Sequence, residues 1–280
     1  MRTFDPLRRP LARVSLALAA AMCAGLGGEQ VAAQGVTVFR STQAANLPTA
    51  QTIRAGNLMF EISHRFVPPV TDGADQLWGL DGPVFNRLGL AYAPTDRVML
   101  GVVRSNLAGN LELNAKGRLL EGDLGGVRYQ VGAMGGIAWN FNAQPQGGVE
   151  DNEAQYYAQG IVNAALGDRF ALGVVPTALH NPRIEDVDPV STFALGLHGQ
   201  YWITRGMSLL AEWNMSVESV AYPHDAVSFG IDLQTRGHVF KLLVANQVRM
   251  NPTQFLVGTP YGYGGDDWRL GFNITRVLSF

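Results

Sequence analysis

Large apolar residues alternate with small or polar ones along much of the chain, and the alternation is clearest near its end. Between Trp268 and Ile274 every second residue is large and apolar, and Leu278 and Phe280 continue the series. Because successive side chains of a β-strand point to opposite faces, this pattern predicts a strand with one apolar and one polar face. Taken alone, it also fits an edge strand of a soluble sandwich.

The same alternation recurs in about twelve segments, each near the length of a transmembrane β-strand. An even number of such strands returns the two ends of the chain to the same side of a sheet. The predicted strands are 57–66, 84–93, 97–105, 111–120, 126–141, 154–166, 169–178, 191–203, 206–217, 225–234, 237–247 and 267–280.

The connections between these strands alternate in length. The short ones are rich in turn residues, and they cover 94–96, 121–123, 167–168, 204–206 and 235–237. The others are longer except for 106–110, and they cover 67–83, 142–153, 179–190, 218–224 and 248–266. Short periplasmic turns that alternate with longer extracellular loops are typical of an outer-membrane barrel. The chain is therefore predicted to be all-β, a transmembrane antiparallel up-and-down β-barrel of about 12 strands. Leu278 and Phe280 are its predicted membrane assembly signal.

The start of the chain predicts export. Four arginines precede a short apolar stretch at 14–26, which cannot span a bilayer as a helix, and small residues at 31–33 offer a cleavage site. We expect residues 1–33 to be a signal peptide and residues 57–280 to be the barrel. Residues 34–56 are expected to be a periplasmic tail or a plug. The predicted location is the outer membrane of a Gram-negative-type bacterium.

A short motif adds a resemblance to a known family. The first predicted strand ends in His64, Arg65 and Phe66, and the following loop contains Gly79, Leu80, Asp81 and Gly82. Over about residues 52–120 the chain resembles a bacterial outer-membrane β-barrel family of uncharacterised function. A glycine tends to follow His-Arg-Phe in that family, whereas residues 67–69 here are Val-Pro-Pro, so the first loop is expected to differ in shape. The resemblance implies no established activity.

The polar face of the strands carries the candidate functional residues. Cations outnumber anions among these inward positions, and a fixed positive charge in a water-filled constriction favours anions. One hypothesis is a narrow porin-like channel for small, possibly anionic, solutes. The other is a closed barrel in which the charges pair, and which binds a ligand or partner through acidic extracellular loops. The predicted lumen residues are Glu61, Arg65, Arg87, Glu112, Lys116, Arg118, Arg128, Glu212, Asp232, Lys241 and Arg269.

Other classes of function receive little support. The net charge of −2 gives no basic field for nucleic acid. The histidines have no metal-ligand spacing, so neither a metal nor a cofactor is predicted. An enzyme is not predicted. A lipase on the barrel wall would need a serine beside His64 on the same face, and the neighbouring Ser63 points to the other face. The expected partners are outer-membrane lipid, lipopolysaccharide and the barrel-assembly machinery, and the oligomeric state is left open.

Replacing Arg87 and Arg128 by glutamate tests the channel hypothesis. Inverting two fixed charges should move the reversal potential of any conductance towards cations. The measurement is made in a planar bilayer under a salt gradient. An unchanged potential would show that these side chains do not line the pathway.

Overall fold

The computed structural model describes residues 36–142, 154–182, 190–217, 221–235 and 237–279. The predicted signal peptide and Phe280 lie outside these ranges. Twelve strands form the described sheet: β1 (Leu58–Phe66), β2 (Val84–Thr95), β3 (Val98–Ser105), β4 (Asn110–Leu124), β5 (Val127–Asn140), β6 (Gln155–Leu166), β7 (Phe170–His180), β8 (Ser191–Trp202), β9 (Met207–Ser216), β10 (Ala226–Gln234), β11 (His238–Ala245) and β12 (Arg269–Leu278).

The strands form one closed antiparallel barrel in sequence order. Each pairs with its neighbours along the chain, and β1 pairs with β12 from Leu58 opposite Leu278 to Arg65 opposite Gly271. Closure leaves no unpaired sheet edge, which is what a β-structure needs to cross a bilayer. The predicted fold class is confirmed, and the strands follow the prediction closely.

One predicted turn is wrong. The sequence places it at 121–123, but β4 continues to Leu124 and pairs there with Val127 of β5. The turn is made by Gly125 and Gly126, whose φ angles of 62° and 89° suit a tight hairpin. A β-bulge between Arg118 and Leu120 shifts the register just before it.

The outer and inner faces of the barrel have opposite character. On β9, Leu209 and Trp213 are exposed on the outside, whereas Glu212 and Asn214 are buried on the inside. No helix in the described part of the chain is long and apolar enough to cross a membrane. The apolar outer face gives the strands a surface that hydrocarbon can solvate.

Two further segments fill the interior. Residues 38–53, which precede β1, are almost all buried, and so are residues 246–259 between β11 and β12. The latter segment contains a short helix, α1 (Pro252–Phe255). From the sequence we expected residues 34–56 to be a periplasmic tail or a plug, and residues 248–266 to be a loop. In the structure both segments lie against the inward side chains.

Leu90, near the middle of β2, tests the outward face, because its side chain is 44 % exposed. Leu90→Arg should lower the free energy of unfolding by about 2–4 kcal/mol, the cost of a cation near the bilayer midplane. The matched control is Leu124→Arg at the end of β4, where the cost should be about 0–1 kcal/mol. Both are measured by denaturant titration in lipid vesicles. Equal costs at the two positions would contradict this membrane placement.

Candidate functional site: the plugged lumen

Residues 36–56, which we call the plug, enter the barrel, and their central part, 38–53, occupies its interior. Its polar contacts reach inward side chains of strands all around the ring, so it lies within the lumen. Its β-bridges are isolated, such as the one that joins Gln43 to Pro48 within the plug, and it contributes none of the twelve strands of the described barrel. An irregular backbone in an enclosed space must find hydrogen-bond partners among side chains. The inward residues of the wall supply them.

Glu212 of β9 holds the centre of the plug. Its Oε2 accepts hydrogen bonds from the main-chain nitrogens of Asn46 and Leu47, both at 2.8 Å. Its Oε1 accepts from the side-chain amides of Asn46 at 3.3 Å and Asn214 at 3.0 Å. A carboxylate is acceptor-only, so this side chain suits a turn of chain that presents several N–H groups.

Two lysines bind the plug through its carbonyl oxygens. The Nζ of Lys116 donates to the carbonyls of Thr42 at 2.9 Å and Thr49 at 3.1 Å. The Nζ of Lys241 donates to the carbonyl of Gln43 at 2.7 Å. Both lysines are buried. The sequence suggested that these lysines attract anions. In the structure their ammonium groups donate hydrogen bonds to main-chain oxygens of the plug instead.

Arg65 acts in the same way from β1. One guanidinium nitrogen donates to Asn273 Oδ1 at 2.8 Å, and the other donates to Asn46 Oδ1 at 3.0 Å. The Asn273 amide itself donates to the carbonyl of Ala45 at 2.7 Å. Arg65 therefore joins the wall to the plug at the strand pair that closes the barrel.

Two amide side chains secure the ends of the plug. Asn163 Oδ1 on β6 accepts from the main-chain nitrogen of Ala50 at 2.7 Å. Gln130 Nε2 on β5 donates to the carbonyl of Val36 at 2.6 Å. Together with the residues above, these contacts tie the plug to seven strands on different sides of the ring.

The remaining central charges pair with one another or with polar groups. Arg87 Nη1 lies 3.3 Å from Glu61 Oε1, and Lys241 Nζ lies 3.8 Å from Asp232 Oδ2. Glu112 Oε1 accepts hydrogen bonds from Tyr157 at 2.6 Å and from Asn114 at 2.7 Å. Glu112 thus differs from Glu212, because neither of these partners belongs to the plug.

Three predicted lumen residues lie at the ends of the barrel instead of its centre. Arg118 lies 3.4 Å from Glu121 near the β4–β5 turn, and Arg128 lies 3.1 Å from Asp168 on the same side. Arg269 is at the opposite end, where its guanidinium stacks over Tyr261 and donates to the carbonyl of Val67. The eleven predicted residues therefore form no single constriction. Their role in conduction stays a prediction.

The segment 246–259 enters the lumen from the extracellular end. Asn251 donates to Asn110 Oδ1 at 2.5 Å, and Gln254 donates to the carbonyl of Leu107 at 3.0 Å. Phe255, Leu256 and Val257 pack in one apolar cluster with Leu47 of the plug. The two insertions therefore meet inside the barrel.

A glycine on the wall makes room for the plug at this cluster. A Cβ atom at Gly196 would lie 2.5 Å from the methyl groups of Leu47. Gly196 faces inward on β8, where the absence of a side chain leaves the space that Leu47 fills. No local pattern in the sequence marks this contact.

The structure places the family-motif residues at the extracellular end of β1 and in the first loop. His64 faces outward and packs against Phe272 with ring centroids 4.6 Å apart, whereas Ser63 faces inward and donates to Glu61. Ser63 therefore cannot serve as the wall serine that a lipase at His64 would require. Leu80 is exposed, and Gly79 has a φ of 91° that suits its turn.

The acidic loops are only partly described. Among them, Asp266 accepts a hydrogen bond from Thr71 at 2.7 Å, which joins the first and last extracellular loops. Within the described ranges, no group of three or more His, Asp or Glu residues is placed to hold a metal ion. The acidic residues at 150–153 and 185–188 lie outside the described residues.

Sequence reasoning missed that residues 246–259 enter the lumen. It also did not identify the plug residues that contact the lumen charges. The sequence predicts a strand that runs to residue 247 and a loop at 248–266, yet β11 ends at Ala245 and residues 246–259 are buried in the lumen. A signal was present in the chain, because the segment has four amide side chains, Asn246, Gln247, Asn251 and Gln254, and a single charged one, Arg249. Amides of this kind suit a polar interior, since each can donate and accept.

The chain belongs to the family described as membrane bound beta barrel domain (DUF5777), whose profile matches residues 39–278. The predicted membership of an uncharacterised barrel family is confirmed at this level. The match begins within the plug, so the family includes most of that segment as well as the barrel. The architecture and the family place the protein in an outer membrane, in a lipid environment.

Several solved structures share the general architecture. The NanC porin is 9% identical with a TM-score of 0.47, and the match covers 80% of this chain and 99% of that one. Outer membrane phospholipase A from Escherichia coli is 12% identical with a TM-score of 0.42, covering 79% and 89%. The CymD monoaromatic hydrocarbon channel is 10% identical with a TM-score of 0.40, covering 81% and 89%. None of the curated proteins matches. These similarities carry no conclusion about function.

Labelling of a plug cysteine tests the contacts of Glu212. The only natural cysteine is Cys23, within the predicted signal peptide, so Ala44→Cys gives the mature chain a single buried thiol. Adding Glu212→Gln turns one acceptor into a donor that faces N–H groups. We expect a membrane-impermeant maleimide to react at least about tenfold faster, since charged hydrogen bonds to the plug are lost.

Glu112→Gln is the matched control for this experiment. It removes another buried lumen carboxylate, but one whose bonds go to Tyr157 and Asn114. Its labelling rate should stay near that of Ala44→Cys alone. Equal acceleration by both substitutions would show a general loosening of the barrel and not a release of the plug.

Proposed function

We propose that this protein is a porin-like channel for small solutes which its own N-terminal segment holds closed. The observation that carries the proposal is the attachment of the plug to the wall. Lys116, Lys241 and Glu212 hold it through hydrogen bonds to main-chain atoms. Such contacts are reversible and need no particular plug side chain. They suit a segment that is held in place yet able to leave.

Space around the plug supports the idea that it can shift. A cavity of about 60 Å³ separates it from β1–β4 beside Glu61, Arg87 and Lys116. A second cavity of about 200 Å³ lies between the plug and the wall beside Thr275 and Val277. Cores of folded domains are packed with few such voids. The interface between plug and wall therefore leaves room beside the plug on these two sides.

Displacement of the plug would also set the solute preference. Lys116, Lys241 and Arg65 would lose their carbonyl and amide partners and face open water. With Arg87 they would balance the four central carboxylates, Glu61, Glu112, Glu212 and Asp232. Arg118, Arg128 and Arg269 at the two ends supply the excess of positive charge, which favours anions in a narrow pore. The anion preference inferred from sequence is thus proposed for the open state.

The segment 246–259 favours a second candidate, a permanently closed barrel that binds a ligand or partner through its extracellular loops. Its apolar contact with Leu47 closes the lumen from the other end. If this segment stays in place when the plug moves, ions still cannot pass. Conductance therefore separates the two functions.

A disulfide between plug and wall provides the test. A Cβ atom built on Gly132 lies 3.2 Å from the Cβ of Ala50, close to the spacing of a disulfide. It also lies 2.8 Å from the carbonyl oxygen of Gly117, so β5 must shift slightly. Ala50→Cys with Gly132→Cys, in the Glu212→Gln background, gives one protein whose plug can be locked or freed by redox.

We expect residues 34–280 of the natural sequence to be nearly silent in a planar bilayer under a salt gradient. The reduced triple variant should show discrete steps with an anion-selective reversal potential, and oxidation should abolish them. Reducing the disulfide on the same membrane should restore the steps. Their return would show that the disulfide, and not strain at Gly132, stopped conduction. If the reduced protein is folded and inserted but silent, the gated channel is refuted and the closed barrel is favoured.

A further inference from the structure

An arginine-rich cavity lies at the periplasmic mouth, below the plug. Its volume is about 650 Å³, and the turns β6–β7 and β8–β9 form much of its wall. The lining residues bring together four arginines and one carboxylate: Arg40, Arg128, Arg169, Arg205 and Asp168. The size suits a small molecule, and the balance of charge suits an anion.

The single carboxylate neutralises only one of these arginines. Arg128 Nη2 donates to Asp168 Oδ1 at 3.1 Å and to the carbonyl of Gly167 at 2.7 Å. Arg169 and Arg205 are exposed, and their guanidinium groups have no carboxylate partner among the described residues. Guanidinium groups offer planar forks of donors that match phosphate and carboxylate oxygens.

Arg40 brings the plug into this cavity. Its guanidinium donates to the carbonyl of Arg205 and stacks over Trp202 at 5.3 Å. Burial, followed by the positive charge of Arg205, lowers the pKa of Arg40 from its ordinary value. An anion at this position would relieve the repulsion between the two arginines.

Trp202 is an independent sign of a ligand. It lines the cavity and is 5% exposed, and its indole Nε1 is buried with no acceptor among the described residues. A buried donor without a partner is costly, and native structures usually satisfy it. A small movement of the ring towards the cavity would let this donor reach an anionic oxygen there.

The position of the cavity favours a soluble ligand over a lipid headgroup. Arg128 has the same parity on β5 as Gln130, which is buried inside the lumen. Trp202 likewise belongs to the buried, inward series of β8. The cavity thus opens along the barrel axis to the periplasm and not to the bilayer.

The geometry points to a binding site at the periplasmic mouth for a small polyanion that carries two or more phosphate groups, held by Arg128, Arg169 and Arg205 against Trp202. This site does not require the plug to move, so it stands apart from the proposed channel. Because Arg40 belongs to the plug, the bound anion also contacts the segment that closes the lumen.

The test is calorimetric titration of the folded protein in neutral detergent with inorganic tripolyphosphate. We expect saturable binding that weakens with salt. Arg169→Gln combined with Arg205→Gln should raise Kd at least about tenfold, because charge-assisted bonds are lost. Arg205→Gln alone, in an exposed turn, should raise Kd by a smaller factor. Heat-modified migration on gels verifies that each variant is folded.

Arg97→Gln is the matched control, since Arg97 is an exposed arginine at another periplasmic turn, paired with Glu121 and outside the cavity. Its Kd should stay within about twofold of the unsubstituted protein. Absence of tripolyphosphate binding, or an equal loss with Arg97→Gln, would overturn the site. Binding of short-chain phosphatidylglycerol without tripolyphosphate binding would overturn the assignment to a soluble ligand.

Discussion

The structure depends on one constraint: polar backbone inside a closed barrel must be satisfied there. The strands meet it by pairing around the ring, which removes every free edge. The plug cannot meet it in the same way, because it has almost no regular pairing of its own. Its carbonyl and N–H groups are therefore served by side chains of the wall, among them the charged groups of Glu212, Lys116 and Lys241.

This constraint changes the meaning of the inward charges. An excess of lysine and arginine in a barrel interior suggests an anion pathway, because fixed charge in water selects counter-ions. Here Lys116 and Lys241 direct their ammonium groups to carbonyl oxygens of the plug. In the proposed channel the same residues would serve both roles in turn, as a clamp when the plug is present and as a selective lining once it has left.

The two ends of the lumen differ in chemistry. At the extracellular end, residues 246–259 add an apolar contact with Leu47 and amide bonds to the wall. At the periplasmic end, the wall and the plug leave an arginine-lined cavity. A solute that approaches from the periplasm thus meets positive charge before it meets the plug, and the contact of Arg40 with Arg205 lies between them.

The sequence by itself determined the barrel, because alternation and turn spacing are local properties that each strand carries in its own residues. It placed the strands and the inward position of residues such as Glu212. It missed the glycine turn at Gly125 and Gly126, where a bulge displaced the register. Only the tertiary structure decided what fills the lumen. Contacts such as that of Glu212 with Leu47 join residues far apart in the chain, and no local period marks them.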